Sequence, residues 1–198
     1  MVETRTIWSE CEKSLQGTGF AGKPDKVAIR VADARKLLMS GLLYYCGESV
    51  VWQPEYDEVA EWLTDNNGRG LWLCGECGRG KTLIGAKILP VLLNGYNVPR
   101  KIVSLYDAKE LNSRYGEIAE KHIIYIDDVG KEGVSVEYGN RNLRFADIVD
   151  ETEKKGKLLM FSTNLSQEEM AAKYGERTVD RLRAVTRKVV FKGGSMRG

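Results

Sequence analysis

The 198-residue sequence predicts an α/β fold in three layers, with helices covering both faces of a mainly parallel five-stranded sheet. Three observations carry this. Five short apolar runs, at residues 71–74, 101–105, 122–126, 158–162 and 188–191, alternate with segments of helical spacing. The runs are apolar almost throughout, as in strands buried on both faces. A glycine-rich segment, residues 75–82, joins the first run to a helix, and polar residues follow the runs at 122–126 and 158–162, where parallel sheets gather ligands.

Along the chain, residues 1–47 open with mixed signals: glycines between 17 and 22, Pro24, then helical spacing from Val31 through Ala34, Leu38 and Leu42 to Gly47. They are expected to form a short, partly helical appendage to a core spanning 48–198. Residues 54–64 read as a helix with Pro54 near its first turn and Val59, Trp62 and Leu63 on one face; Asn66-Asn67-Gly68 ends it. After the first strand, residues 81–93 are helical, interrupted by Pro90, which should kink or end the helix. The strand at 101–105 leads to Asp107 and Glu110, spaced as a capping box before a short helix. Then follow the strand at 122–126, a helix at 143–154 and the strand at 158–162. Ser166 and Glu169 cap a helix that stops at 174–175; a helix at 177–185 and the strand at 188–191 close the pattern.

Composition excludes several classes. A 42% hydrophobic share is too high for disorder, and 30 basic against 28 acidic residues give a net charge of +2. Met1-Val2-Glu3-Thr4-Arg5 has no apolar core, so no secretory signal is expected. The apolar stretch at 37–47 is too short to span a bilayer. Four cysteines make no disulfide scaffold, so the expected setting is cytoplasmic. With one histidine, a His-rich metal site or a His-based triad is not expected.

Gly75-Glu76-Cys77-Gly78-Arg79-Gly80-Lys81-Thr82 fits G-x-x-x-x-G-K-[ST] at every position. The glycines let successive backbone N–H groups turn inward toward phosphate oxygens, and the following helix N-terminus favours an anion. Lys81 is placed to reach the β- and γ-phosphates, and Thr82 to hold Mg²⁺. Cys74-x-x-Cys77 is a redox or zinc spacing, but no second pair completes it, and structural cysteines are expected.

The strand at 122–126 ends in Asp127 and Asp128, 46 and 47 positions after Lys81. Asp127 is expected to face Mg²⁺ through water, and Asp128 to orient or deprotonate an attacking water. The strand at 158–162 ends in Thr163 and Asn164; next to the Asp127 strand, Asn164 would touch the γ-phosphate or that water. Arg177 and Arg181, four apart, share a helix face. From Arg177 to the end there are seven basic residues and one acid, whereas residues 48–76 hold seven acids and one base. That polarity suits head-to-tail packing of identical subunits, or nucleic acid at the basic end. An arginine supplied in trans often completes a phosphate-loop site, which favours Arg177 and Arg181 as functional residues.

Together these residues resemble the AAA+ ATPases of the bacterial DnaC/DnaI-type helicase-loader group and their relatives, the IstB-type transposition ATPases. Residues 75–82 correspond to Walker A, 123–130 (IIYIDDVG) to Walker B, 161–166 (FSTNLS) to the sensor I strand and 174–183 (YGERTVDRLR) to the arginine-finger region. Residues 190–197, ending in Ser195-Met196-Arg197, are similar to the group's usual close. The resemblance implies ATP and Mg²⁺ at Lys81, Thr82, Asp127 and Asp128, with Asn164 as sensor I. It makes Arg181 the first candidate for a finger reaching a neighbour's ATP and Arg177 the second. It also implies ATP-dependent assembly, a replicative helicase as partner and single-stranded DNA as a candidate ligand. No helical lid domain is expected after the last strand, in keeping with that group. The short N-terminal segment and the short stretch between Leu105 and His122 depart from it, and they bear on helicase and DNA contacts rather than on ATP. A transposition ATPase or a nucleoside-type kinase would share much of this pattern.

Overall fold

In a computed structural model, which describes residues 2–15, 17–20, 22–133, 135–137 and 140–193, the apolar runs pair into one parallel sheet. The strands are β1 (Gly70–Gly75), β2 (Ser104–Asp107), β3 (Ile123–Val129), β6 (Leu158–Thr163) and β7 (Thr186–Phe191), in the order β2-β3-β6-β1-β7. Every neighbouring pair is parallel. Two further strands, β4 (Ser135–Glu137) and β5 (Asn140–Asn142), form a separate antiparallel hairpin.

The two-residue period of each strand sends alternate side chains to opposite faces. Leu71, Leu73, Tyr125, Leu158 and Met160 enter one core cluster; Trp72, Cys74, Ile124, Ile126, Leu159 and Phe161 enter the other. The first cluster is covered by α2 (Ala34–Cys46), α3 (Pro54–Thr64) and the helix after β1, which is π-helical over Leu83–Ile88 and continues as α4 (Leu89–Gly95). The second is covered by α5 (Tyr115–Glu120), α6 (Arg144–Lys155), α7 (Gln167–Tyr174) and α8 (Glu176–Val185). Each large apolar side chain so buried contributes about 1.5–3 kcal/mol. The N-terminal helix α1 (Val2–Ser14) leaves Ile7 and Trp8 exposed.

Local chemistry explains the boundaries. Pro54 sits in the first turn of α3, where its missing N–H costs nothing, and Glu55 and Asp57 favour that positive end. Both expected capping boxes form, Asp107 with Glu110 and Ser166 with Glu169. Extended residues 27–31 are held by two buried asparagines from the turns after α3 and α4. Ile29 N–H donates to Asn66 Oδ1 (2.8 Å), Asn66 Nδ2 donates to Val27 O (3.0 Å), and Arg30 N–H donates to Asn97 Oδ1 (2.6 Å). Ile29, Val31, Ala34, Leu38 and Leu42, in the segment expected as an appendage, share the first core cluster with the sheet.

Three local expectations need correction. The helix expected at 81–93 does not end at Pro90 but runs to Gly95; it widens into a π-turn just upstream, where the ring and the missing donor must be absorbed. The strand expected at 101–105 lies at Ser104–Asp107, because Ile102, read as a strand residue, is 80% exposed. The hairpin β4–β5 and helix α1 had no counterpart in the sequence reading; the short helix expected after Asp107 is a single capped 3₁₀ turn, Ala108–Glu110, and α5 follows it. The sequence ending at 194–198, including Arg197, lies outside the described residues.

Candidate functional site

Parallel pairing brings the C-terminal ends of β1, β3 and β6 side by side, with Cys74 opposite Thr163 and Val129 opposite Thr163. The expected loop leaves β1 at Gly75 and turns through Gly78 (φ +81°) and Gly80 (φ +82°), conformations that only glycine adopts without strain. Lys81 is 5% exposed. Its ammonium donates to Gly75 O (2.7 Å), Glu76 O (2.7 Å) and Asn164 Oδ1 (2.8 Å), which uses all three of its hydrogens. Burial lowers its pKa from the usual 10.5, with Cys77, Asp128, Cys74 and Asp127 acting in the opposite direction. Arg79 is buried and pairs with Glu55 of α3 at 2.8 Å, anchoring the loop from beneath.

Asp127 Oδ1 accepts from Tyr125 Oη (2.7 Å), Ser162 Oγ (2.5 Å) and Thr82 Oγ1 (3.1 Å). Burial, followed by the neighbouring Asp127 charge, raises the Tyr125 pKa well above its usual value, so the phenol remains a donor. The strand register shifts between Ile126 and Val129, and Asp128 takes a left-handed conformation (φ +56°). The shift breaks the alternation that would otherwise send adjacent aspartates to opposite faces. Asp128 N–H donates to Ser162 Oγ (2.9 Å), and Asp128 Oδ2 accepts from Lys131 (2.6 Å). The Ser162 hydroxyl therefore donates to one aspartate and accepts from the backbone of the other.

Part of this network, including Lys81, Thr82, Asp128 and Asn164, borders a cavity of about 340 Å³; Asp127 is not in its lining but reaches its edge through the bond from Thr82. Cys77, Gly78, Arg79, Gly80, Lys81, Thr82, Asp128, Lys131 and Asn164 supply its polar part; Leu42, Cys46, Val50, Tyr56 and Leu83 supply an apolar wall. A hydroxyl and a carboxylate at Thr82 and Asp127 form the hard-oxygen pair that Mg²⁺ takes alongside phosphate oxygens, so the donor set fits that ion. Cys74 is buried with its thiol on Val189 O (3.6 Å), Cys77 is exposed at the loop, and both are free thiols.

The structure thus gathers Gly75, Glu76, Cys77, Gly78, Arg79, Gly80, Lys81, Thr82, Asp127, Asp128 and Asn164. It does not bring Arg177 or Arg181 to the cavity. Arg181 turns toward α6, ion-paired with Asp150 and, at 2.9 Å, with Glu153. Arg177, in the first turn of α8, is exposed. Some of the opposed end charges are also met within the chain: Glu55 by Arg79, Asp57 by Arg35 and Glu61 by Arg187. Sequence reasoning missed Tyr125, Ser162, Lys131 and Glu55, and the wall from α2 and residues 50–56. The polar C-terminal end of β6, Ser162-Thr163, was the one available signal, for Ser162.

Residues 51–192 match the family model nSTAND3, Novel STAND NTPase 3. No curated protein matches the chain. Among solved structures, the chain is similar to DnaI, at 17% identity over 82% of this chain and 93% of that one, with a TM-score of 0.58. It is also similar to the DnaC helicase loader, at 16% identity over 72% of this chain and 93% of that one, with a TM-score of 0.52. At these identities the likeness establishes the fold, a phosphate-loop domain built on a mainly parallel five-stranded sheet. Among the described residues no helix is long and apolar enough to cross a membrane.

Proposed function

The chain belongs to the Novel STAND NTPase 3 family, and from that footing we propose that it binds ATP with Mg²⁺ and hydrolyses it at a head-to-tail interface between subunits. The observation that carries this reading is the convergence of three strand ends: the Lys81 ammonium is bonded to Asn164, and Thr82 to Asp127. Lys81 and the loop N–H groups take the β- and γ-phosphates, and Leu42, Val50 and Tyr56 line the space for the base. Thr82 and Asp127 hold Mg²⁺, which when bound neutralises phosphate charge. Asp128, released from Lys131, orients and accepts a proton from the attacking water, while Asn164 contacts the γ-phosphate.

Arg177 is the better placed residue to reach a neighbour's ATP. It is exposed, whereas Arg181 is already engaged by Asp150 and Glu153. By likeness to the DnaI and DnaC structures, the protein is read as a cytoplasmic helicase-loader type of replication ATPase. Its expected partners are a replicative helicase and single-stranded DNA.

The test is ATP hydrolysis per subunit against protein concentration, with and without single-stranded DNA. Specific activity is expected to rise with concentration and to be abolished by Lys81→Ala. A flat, DNA-independent rate, together with phosphorylation of a nucleoside, would sink the reading in favour of a kinase.

A further inference from the structure

Just beyond Asp128 the chain makes a turn that is bonded on every side. Gly130 N–H donates to Glu132 Oε2 (2.8 Å), and Gly130 O accepts from Lys173 Nζ (2.6 Å). The Glu132 carboxylate is almost wholly buried, and its other oxygen accepts from the hydroxyl of Tyr174 and lies 3.5 Å from Lys173. Burial raises the Tyr174 pKa, reinforced by the bond to Glu132, which keeps the phenol the donor. A β-carbon added at Gly130 (φ +112°) would lie 2.7 Å from the side chain of Leu165, just past β6.

Both ends of this cluster lead somewhere. On one side, Lys131 sits between Gly130 and Glu132 in sequence and is ion-paired with Asp128 (2.6 Å). On the other, Tyr174 is the last residue of α7, and Gly175 alone separates it from α8. Thr178 Oγ1 bonds back to Tyr174 O (2.8 Å), fixing the first turn of α8, which carries Arg177. The Tyr174 ring packs on Phe145 at 5.0 Å, so the phenol cannot shift without moving the second core.

A buried carboxylate is a poor way to gain stability alone, because desolvation offsets most of the attraction and apolar packing would serve as well. It is a good way to fix one turn against one helix end. We propose that Glu132 is a positioning residue that ties the turn carrying Asp128 to the α7–α8 junction, so that nucleotide at the site and the placement of Arg177 are coupled within one chain. The coupling rests on the proposed ATP site. When Asp128 gives up Lys131 for the nucleotide, the displacement passes through Gly130 and Glu132 to Tyr174 and thence to α8.

The experiment is amide hydrogen exchange on the full chain, with and without Mg²⁺ and a non-hydrolysable ATP analogue, for wild type, Tyr174→Phe and Glu132→Gln. In wild type, exchange is expected to slow at residues 75–82 and, by about fivefold or more, at residues 174–180. In both variants the slowing at 75–82 should persist and that at 174–180 should vanish. Steady-state kinetics should show kcat per folded subunit, with the folded fraction taken from circular dichroism at the assay temperature, reduced in both variants with KM within about twofold of wild type; partial unfolding alone would lower the rate per total protein and leave the rate per folded subunit unchanged. Slowing at 75–82 without any at 174–180 in wild type, or equal slowing at 174–180 in the variants, would overturn the coupling alone. No slowing at 75–82 in wild type would overturn the ATP site and the coupling with it.

Discussion

Replacing Gly85 by alanine separates two opposing effects by sign. Gly85 lies in the π-helical stretch after the loop, and on propensity alone alanine should stabilise a helix by about 1 kcal/mol. A methyl group at this position, however, would overlap the Tyr125 ring and its hydroxyl. The ring is fully buried and tied to Asp127 at 2.7 Å, so it has no open direction of retreat. Overpacking of this kind costs about 1–3 kcal/mol, and a ring forced aside also loses a hydrogen bond to a charged group, about 1.5–3 kcal/mol. Steric cost wins over propensity, for a net loss of about 1.5–5 kcal/mol and a melting temperature lower by about 3–20 °C. Mg²⁺-dependent nucleotide affinity should fall as well, since Asp127 loses one of its three donors. Gly116→Ala in α5 is the control: nothing lies within 4 Å of its added carbon, so the melting temperature should hold or rise. A Gly85→Ala protein that melts at or above wild type would refute the argument that Gly85 is there to admit Tyr125.

Other perturbations have equally definite outcomes. Glu55→Ala leaves the buried Arg79 guanidinium without its carboxylate, at a cost of about 3 kcal/mol, so thermal melts should shift down by about 6–12 °C; an unchanged melt would mean that Arg79 finds equal solvation elsewhere. Arg177→Ala should melt like wild type yet hydrolyse ATP on the order of 10³-fold more slowly at assembling concentrations. Arg181→Ala should lower the melting temperature by removing the ties to Asp150 and Glu153; the reverse pattern in the two assays would exchange the roles of these arginines. Nucleotide affinity should fall as pH rises through the lowered pKa of Lys81, which burial sets below the usual 10.5. Bound phosphate favours the charged amine, so binding takes up a proton in that window. By the same sign, the protein alone gains stability there as the buried charge is discharged. Titrations from neutral pH up toward the usual lysine value should show the fall, and Lys81→Arg, which keeps its charge throughout, should flatten it.

What could be read from residues alone followed a physical boundary. Strands buried on both faces announce themselves as apolar runs, and the loop announces itself because its chemistry needs glycines and a lysine at fixed spacing. The hairpin at β4 and β5 carries Ser135, Glu137, Asn140 and Asn142 and no apolar alternation, so nothing marked it. Ile102 and Val103 looked like the start of β2, yet one is exposed and the strand begins after them. At the site, Lys81, Asp127, Asp128 and Asn164 were legible as motif residues. Tyr125, Ser162, Lys131 and Glu55 were not, because each acts through a neighbour that only strand order, the bulge at Asp128 or the packing of α3 supplies. The engagement of Arg181 by α6 was hidden for the same reason.

The strap of residues 27–31 decides where this protein can be cut. A chain starting at residue 48 would shed Ile29, Val31, Leu38 and Leu42 from the core and strip Asn66 and Asn97 of the backbone partners they bury. It would also remove Leu42 and Cys46 from one side of the cavity. Scaffold and cavity wall meet at Leu42, which belongs to both. A protease that nicks the chain between Pro24 and Val27 would leave both standing, whereas one that cuts at Gly47 would dismantle the two together.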